Sequence, residues 1–268
     1  MDRLPYFTHQ PSPPLRRYVR EMIWVNTDHP RTQFLLPETT LTMVLRQSGH
    51  ASLDNQILPH AIVSGLQQQT RIVDHAAHST LLIVRFTEAG APTVLHDRAD
   101  LLYNRTLPLD NLIPRQQIAE IQNLLADTRD IHQRFLAVER FLLRRIQQPA
   151  AISRVISPQI ETAARIIRDS EGRSSIAAIA HRTGMSQSAL ERHFRAAVGV
   201  SPKTLCRLAR LQHLCRLWDA GMSLTEIAHE AGYFDQPHMV RDFRHFTGHA
   251  PEEFLRTVSP RNLPTFYK

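Results

Sequence analysis

The side chains best suited to recognition chemistry in this sequence come in two matching sets. Gln187, Ser188, Glu191 and Arg192 stand one, two, five and six residues after Ser186, and Gln236, Pro237, Val240 and Arg241 stand at the same offsets after Asp235. Serine and aspartate are good helix N-caps, because their side-chain oxygens accept from the unpaired N–H groups of a first helical turn. At these offsets the side chains leave the N-terminal and outward face of such a helix. An arginine placed there can donate two hydrogen bonds to O6 and N7 of guanine, so Arg192 and Arg241 lead, with a solvated or phosphate-pairing arginine as the alternative. Glu191 could accept from cytosine N4, but it lies four residues before Arg195 and is read in preference as half of a helix-surface ion pair. Pro237 falls in the first turn, where its missing N–H costs nothing, and offers a base no more than apolar contact with a thymine methyl. Arg195, His238 and Arg244 suit phosphate contact, which positions a protein without specifying sequence. His181 and His229 also recur, yet a histidine at a helix end can equally favour the helix dipole.

The other reactive residue types are sparse. His60, His75, His78 and His96 lie in or near one segment, and His75-x-x-His78 has a metal-like spacing, but no carboxylate or third histidine completes a ligand set. They read as turn-exposed histidines, with no metal and no cofactor. Cys206 and Cys215 are nine apart in an expected helix, which puts them on opposite faces, unable to bridge and too few for structural zinc. No convergent acid, base or metal group suggests a hydrolase or an oxygenase, and an enzyme is not expected.

The elements that must position the two sets are themselves repeated. Aligning residues 176–205 with 224–254, with Phe234 as a one-residue insertion, pairs Ile179 with Ile227, Ala180 with Ala228, Gly184 with Gly232, Arg192 with Arg241, Phe194 with Phe243, Gly199 with Gly248 and Pro202 with Pro251. Each copy starts with a short helix, about 175–182 and 223–231, the second opened by the capping box Ser223-Leu224-Thr225-Glu226. Gly184 and Gly232 then stand where a helix ends in a left-handed residue. Ser186 or Asp235 starts a second helix at once, anchored by Phe194 or Phe243 and ended by Gly199 or Gly248. Two helices about so tight a turn form a helix-turn-helix, in which the second enters the major groove. The units are expected at about 175–198 and 223–247. A linker helix from Ser201-Pro202 to Gly221, about 19 residues and about 28 Å, would join them, close to one turn of B-DNA at roughly 34 Å.

Upstream the character changes. The short apolar runs Leu41-Thr42-Met43-Val44-Leu45, Ala61-Ile62-Val63 and Leu81 to Phe86 are separated by turn-rich pieces, which predicts a β-rich segment from Gln33 to Phe86. After Pro114 a helix is expected over about 115–125, followed by a second in which Ile131, Phe135, Val138, Leu142 and Ile146 form an apolar stripe. That stripe fits either a homodimer interface or an intramolecular core. Pro149, Ala150 and Ala151 interrupt the pattern, and Ser157-Pro158 restarts it as an N-cap and first turn. The expected organisation is a domain at 1–147, a linker at 148–156 and an all-helical domain at 157–268. With 268 residues, two separate cores are the natural arrangement.

The net charge of +7 permits a polyanionic partner without proving one, because 17 basic and 14 acidic residues precede position 157 and 15 and 11 follow it. Thirty arginines stand against two lysines, which suits phosphate and guanine edges but fits a biased codon usage as well. No stretch approaches the roughly 20 apolar residues of a membrane span, and Met1 to Gln10 lacks the features of a signal peptide. A cytoplasmic location is expected.

The repeat resembles the AraC/XylS family of transcription regulators. The likeness rests on Ile179-Ala180 through Gly184, on Phe194, Gly199 and Pro202, and on the string from Ile227-Ala228 through Gly232-Tyr233-Phe234-Asp235-Gln236-Pro237-His238-Met239-Val240-Arg241-Asp242-Phe243 to Gly248 and Pro251. It covers about 157–257. The resemblance implies an α+β chain with an N-terminal β-rich, cupin-like barrel and helical pair, followed by two helix-turn-helix units joined by a linker helix. It implies sequence-specific binding to double-stranded DNA in two adjacent major grooves, with the eleven residues of the two sets and their flanking cations as the contacts. Pro237 departs from the polar residue often found at its position, which weakens base-specific contact there. RNA polymerase, a homodimeric partner and a small-molecule effector of unknown identity complete the implied partners. The expected function is an effector-responsive activator, against a repressor or a ligand-independent regulator whose first domain only dimerises. Alkyl-DNA repair methyltransferases share the helix-turn-helix domain but need a reactive cysteine and a four-cysteine zinc site outside it, and this chain has no cysteine before Cys206. A helical repeat could instead bind protein, which a salt-titrated binding assay distinguishes, since DNA affinity falls steeply with salt. Residues 157–268 expressed alone should fold and bind DNA in an electrophoretic shift assay; an insoluble fragment, or one that ignores DNA while the full chain binds it, would contradict the boundary.

Overall fold

The computed structural model describes residues 6–148, 156–218 and 222–258. The strands β1 (Tyr6–His9), β2 (Val19–Thr27), β3 (Arg31–Leu35), β4 (Thr42–Ser48), β5 (Ala51–Leu53), β6 (Gln56–Ile57), β7 (Ala61–Ser64), β8 (Arg71–His75), β9 (Ser79–Phe86) and β10 (Thr106–Pro108) lie in two open antiparallel sheets. One has the order β1-β2-β9-β4-β7-β10 and the other β3-β8-β5-β6. Together they make an unclosed, cupin-like barrel with a cavity between the sheets.

Period-two alternation decides which side chains enter that cavity. Along β4, Met43 and Leu45 are fully buried on the outer face, while Thr42, Val44 and Arg46 line the cavity. Along β9, Leu82, Val84 and Phe86 face out to the core and Leu81 and Ile83 face in. The β-rich segment begins earlier than the apolar runs suggest. In β2 the consecutive residues Met22, Ile23 and Trp24 are all buried, because this strand is interior to its sheet and covered on both faces, which erases the alternation a sequence pattern depends on.

Beyond a short helix α1 (Ala91–Leu95), the helical pair α2 (Arg115–Asp127) and α3 (Ile131–Gln147) forms as expected. Phe135, Val138 and Leu142 are buried, and Ile131 and Ile146 pack half-buried on the same core. Of the two explanations of the stripe, the intramolecular core accounts for it, so the stripe no longer points to a homodimer. The histidines need a correction as well. His78 is exposed in a left-handed turn and His60 is exposed, but His75 is buried in β8 and lines the cavity, and His96 donates from Nε2 to the Arg145 carbonyl, 2.9 Å away. Strand register, which spacing alone does not reveal, turns His75 inward.

The last region is helical: α4 (Pro158–Asp169), α5 (Ile176–Thr183), α6 (Gln187–Val198), α7 (Pro202–Leu217), α8 (Leu224–Glu230), α9 (Gln236–Thr247) and α10 (Pro251–Thr257). Ser157 caps α4 and Ser201 caps α7 as expected. Most of the expected linker at 148–156, and Gly221 as the stop of α7, lie outside the described residues. Cys206 and Cys215 are free thiols whose pKa values burial pushes up to about 11 and about 12. No helix among the described residues is long and apolar enough to cross a membrane. Leu142→Ala should lower stability by about 2–5 kcal/mol in denaturant unfolding without changing the sedimentation coefficient. A shift in oligomeric state on this substitution would return the stripe to an interface role.

Candidate nucleic-acid interface

The two units are built alike down to individual hydrogen bonds. In the first turn Gly184 (φ +66°) donates to the His181 carbonyl at 3.1 Å and Met185 to that of Ala180 at 3.0 Å. In the second, Gly232 (φ +77°) donates to His229 at 3.0 Å and Tyr233 to Ala228 at 2.9 Å. A side chain at either glycine would sit in the sparsely populated left-handed region, so glycine lets the chain reverse within one residue. Ser186 then accepts from the Ala189 N–H at 3.2 Å, and Asp235 from that of His238 at 2.7 Å. The capping box at Ser223 and Glu226 is fully formed. Phe194 and Phe243 seat the backs of α6 and α9 in the core, and left-handed Gly199 and Gly248 end them.

With their backs buried, the helices present the expected residues unequally. On α6, Gln187, Ser188, Glu191, Arg192 and Arg195 are all exposed. Glu191 accepts from Arg195 at 3.0 Å, the ion pair that their spacing suggests. On α9, Pro237, Arg241 and Arg244 are exposed, whereas Gln236, His238 and Val240 are half-buried. Gln236 accepts from the Thr225 hydroxyl at 3.0 Å, His238 meets the Tyr233 ring edge-on at 5.4 Å, and Val240 packs on the core. These three therefore divide their surface between holding the unit together and facing outward. His181 and His229 are exposed at helix ends.

Two features of this face escaped the sequence. Asp242 is buried and held by a bidentate pair with Arg207 of α7, at 3.0 Å from Nη2 and 3.2 Å from Nε. Arg207 also lies 4.9 Å over the Phe246 ring, and Arg210 lies 5.2 Å over Tyr233. The joining helix thus grips the second unit through stacked, forked arginines. The carboxylate within α9 is turned away from the face that carries Arg241 and Arg244. The signal was present in the alignment, where Asp242 pairs with His193 and breaks the repeat. The second feature is Phe234, which is 93% exposed at the tip of the longer turn.

Both recognition helices also touch the β-rich region. The helical turn at Ala99–Leu102 packs against α6, and a Cβ at Gly199 would come within 3.0 Å of the Ala99 carbonyl. Thr70, in the loop between β7 and β8, donates its backbone N–H to the Phe246 carbonyl of α9 at 2.8 Å. Ion pairs tie the regions elsewhere: Arg17 with Glu161 at 2.8 Å, and Glu88 with both Arg20 and Arg168.

A β-rich region that backs two helix-turn-helix units with outward arginines defines a class: a DNA-binding transcription regulator. Residues 179–257 match the family model of a helix-turn-helix domain, and residues 7–108 match that of a domain of unknown function (DUF6597). The helix-turn-helix match falls on the same region whose residues resemble the AraC/XylS regulators. Among solved structures, ToxT from Vibrio cholerae O395 is 14% identical over 95% of this chain and 98% of that one, with a TM-score of 0.46. Unsaturated fatty acid bound wild-type ToxT from Vibrio cholerae strain SCE256 is 12% identical over 97% and 98%, with a TM-score of 0.47. The AraC-like transcriptional activator CuxR is 12% identical over 77% and 86%, with a TM-score of 0.28. No curated protein matches the chain.

Asp242→Ala strands a partly buried guanidinium and should cost about 1–3 kcal/mol of stability. Its effect on DNA should be confined to the half of the site read by α9, as measured by footprinting. Equal weakening of both halves would show that the pair serves the whole domain rather than the second unit.

Proposed function

We propose that the chain is a sequence-specific, effector-responsive transcription regulator whose residues 157–268 read two successive major grooves of one DNA face. In this reading residues 1–147 form the sensory domain. Arg192 and Arg241 are the principal base-reading residues, each able to fork onto a guanine. Gln187, Ser188, Gln236, Pro237 and Val240 flank them, while Arg195, His238 and Arg244 position the helices on phosphates. Glu191 serves mainly to orient Arg195.

The observation that carries this reading is the double contact of the β-rich region with both recognition helices, at the C-terminal ends of α6 and α9. One of these contacts comes from Thr70, three residues beyond Gln67, which lines the cavity. A ligand that biases the loop between β7 and β8 would act directly on the seating of α9, giving the effector a differential interaction with two arrangements. The described part of α7 has 16 residues and spans about 24 Å, which supports units spaced for one turn of duplex. We assign the regulator to activation through RNA polymerase, following the family its helix-turn-helix region resembles; reporter expression in a deletion strain separates this from repression.

Arg192→Ala should weaken binding by about 1–3 kcal/mol and relax preference in one block, and Arg241→Ala should do so in the other, about ten base pairs away. Inserting about five base pairs between blocks turns one onto the opposite DNA face. Affinity should then fall to that of a single unit. Footprints covering a single groove, or both mutants relaxing the same block, would refute the two-groove model.

A further inference from the structure

Phe234 is the most exposed large apolar side chain among the described residues, at 93%. It is also the residue by which the second unit exceeds the first, set between Tyr233 and the cap Asp235, whereas Met185 runs directly into the cap Ser186. The turn does not need it. Both units make the same two backbone hydrogen bonds, and in the second these are complete at Gly232 and Tyr233, before Phe234 is reached. Nor does the helix need it. An apolar residue just before an N-cap ordinarily packs on the fourth residue of the helix and so fixes the entry of the chain. In the first unit Met185 holds that place, half-buried against the core. In α9 the fourth residue is Met239, which is fully buried while Phe234 is almost wholly in water, so no such pair forms. The chain is more extended at this cap, with φ −153° at Asp235 against −67° at Ser186, and the ring stands clear of the core.

A phenyl ring gains by leaving water, and this one has nothing within the fold to leave it for. Phe234 precedes Gln236 and Pro237 by two and three residues, at the end of α9 that enters the major groove in the reading above. Exposed Arg241 and Arg244 on the same helix draw that end to a polyanion. The ring therefore arrives at the duplex together with the base-reading residues. On the base edges of the major groove the one apolar group is the thymine C5-methyl, and phenylalanine is among the side chains that pack on it. We propose that Phe234 is a specificity-determining residue that covers a thymine methyl at the flank of the block read by α9, beside the base met by Gln236. The first unit lacks the inserted residue and makes no counterpart contact, so the preference belongs to one block only. This inference rests on the two-groove reading above and adds one base position to it.

The test starts with selection of duplexes from a random library by the full chain and by its Phe234→Ala, Phe234→Leu and Arg241→Ala variants. The unmodified chain should select a thymine at one flank of the α9 block, and Phe234→Ala should lose that preference alone, with an unchanged melting temperature. Replacing this thymine by uracil in the selected duplex removes only the methyl group. Binding by the unmodified chain should then weaken about fourfold, as expected for one buried methyl-sized group, and binding by Phe234→Ala should not change. Phe234→Leu, still apolar, should keep part of the uracil effect. A Phe234→Ala chain that selects the same sequence, an unmodified chain indifferent to uracil, or a uracil effect that persists in Phe234→Ala would each overturn the proposal. So would a Phe234→Ala chain weakened equally on every sequence, which marks a backbone contact, or one that binds DNA normally but fails to drive a reporter, which marks a protein contact. If Arg241→Ala relaxes the α9 block while Phe234→Ala does not touch it, this inference alone fails; if the chain selects no sequence at all, the two-groove reading fails with it.

Discussion

A helix that reads DNA must be immobilised from behind, because any contact it spends on its front is lost to the duplex. Phe194 and Phe243 meet this requirement in the two units, each inserted into the core from the back of its helix. The glycine turns set the angle at which those helices emerge, with matching pairs of backbone hydrogen bonds at Gly184 and Gly232. Everything exposed on α6 and α9 is oriented by these two constraints. Relaxing either would leave the arginines on a helix of indefinite direction, and a forked hydrogen bond tolerates little misorientation.

The two units share this frame but are stabilised differently. The first leans on the β-rich region through the close approach of Gly199 to Ala99. The second is gripped by the joining helix, through Asp242 and the stacked Arg207 and Arg210, and touches the β-rich region at Thr70. The second recognition helix is thus the one whose seating combines a buried ion pair with a contact from a loop bordering the cavity. Asymmetry of this kind allows one half of a repeat to be adjusted while the other stays fixed, since each helix answers to different neighbours.

Buried arginines in the β-rich region show the same economy from the opposite side. Arg85 is buried and carries two carboxylates, so its charge is compensated inside the fold. Arg46 is buried to a similar degree with none. A folded chain tolerates such a group only if stability elsewhere exceeds its cost, and natural proteins concentrate such violations at sites that do work.

The helix-turn-helix units were legible in the residues because what specifies them is local. Caps such as Ser186, Asp235 and Ser223 act within one turn, Gly184 and Gly232 answer a backbone torsion, and the internal repeat doubles each signal. The helical pair and the alternation in β4 were legible for the same reason. Strand β2 was not, because covering both of its faces removes the alternation. Neither was the role of the stripe on α3, since an apolar face looks the same whether its partner is the same chain or another. His75 and His78 stand three residues apart, yet strand register sends one into the cavity and leaves the other on a turn. Arg46 follows an apolar run like any strand-ending polar residue, and Asp242 sits in a recognition helix like any surface acid. Their opposite fates, one unpaired inside a cavity and the other clasped by Arg207, depend on residues distant in the chain. Desolvation and pairing are properties of assembled surroundings, so only the tertiary structure could decide them.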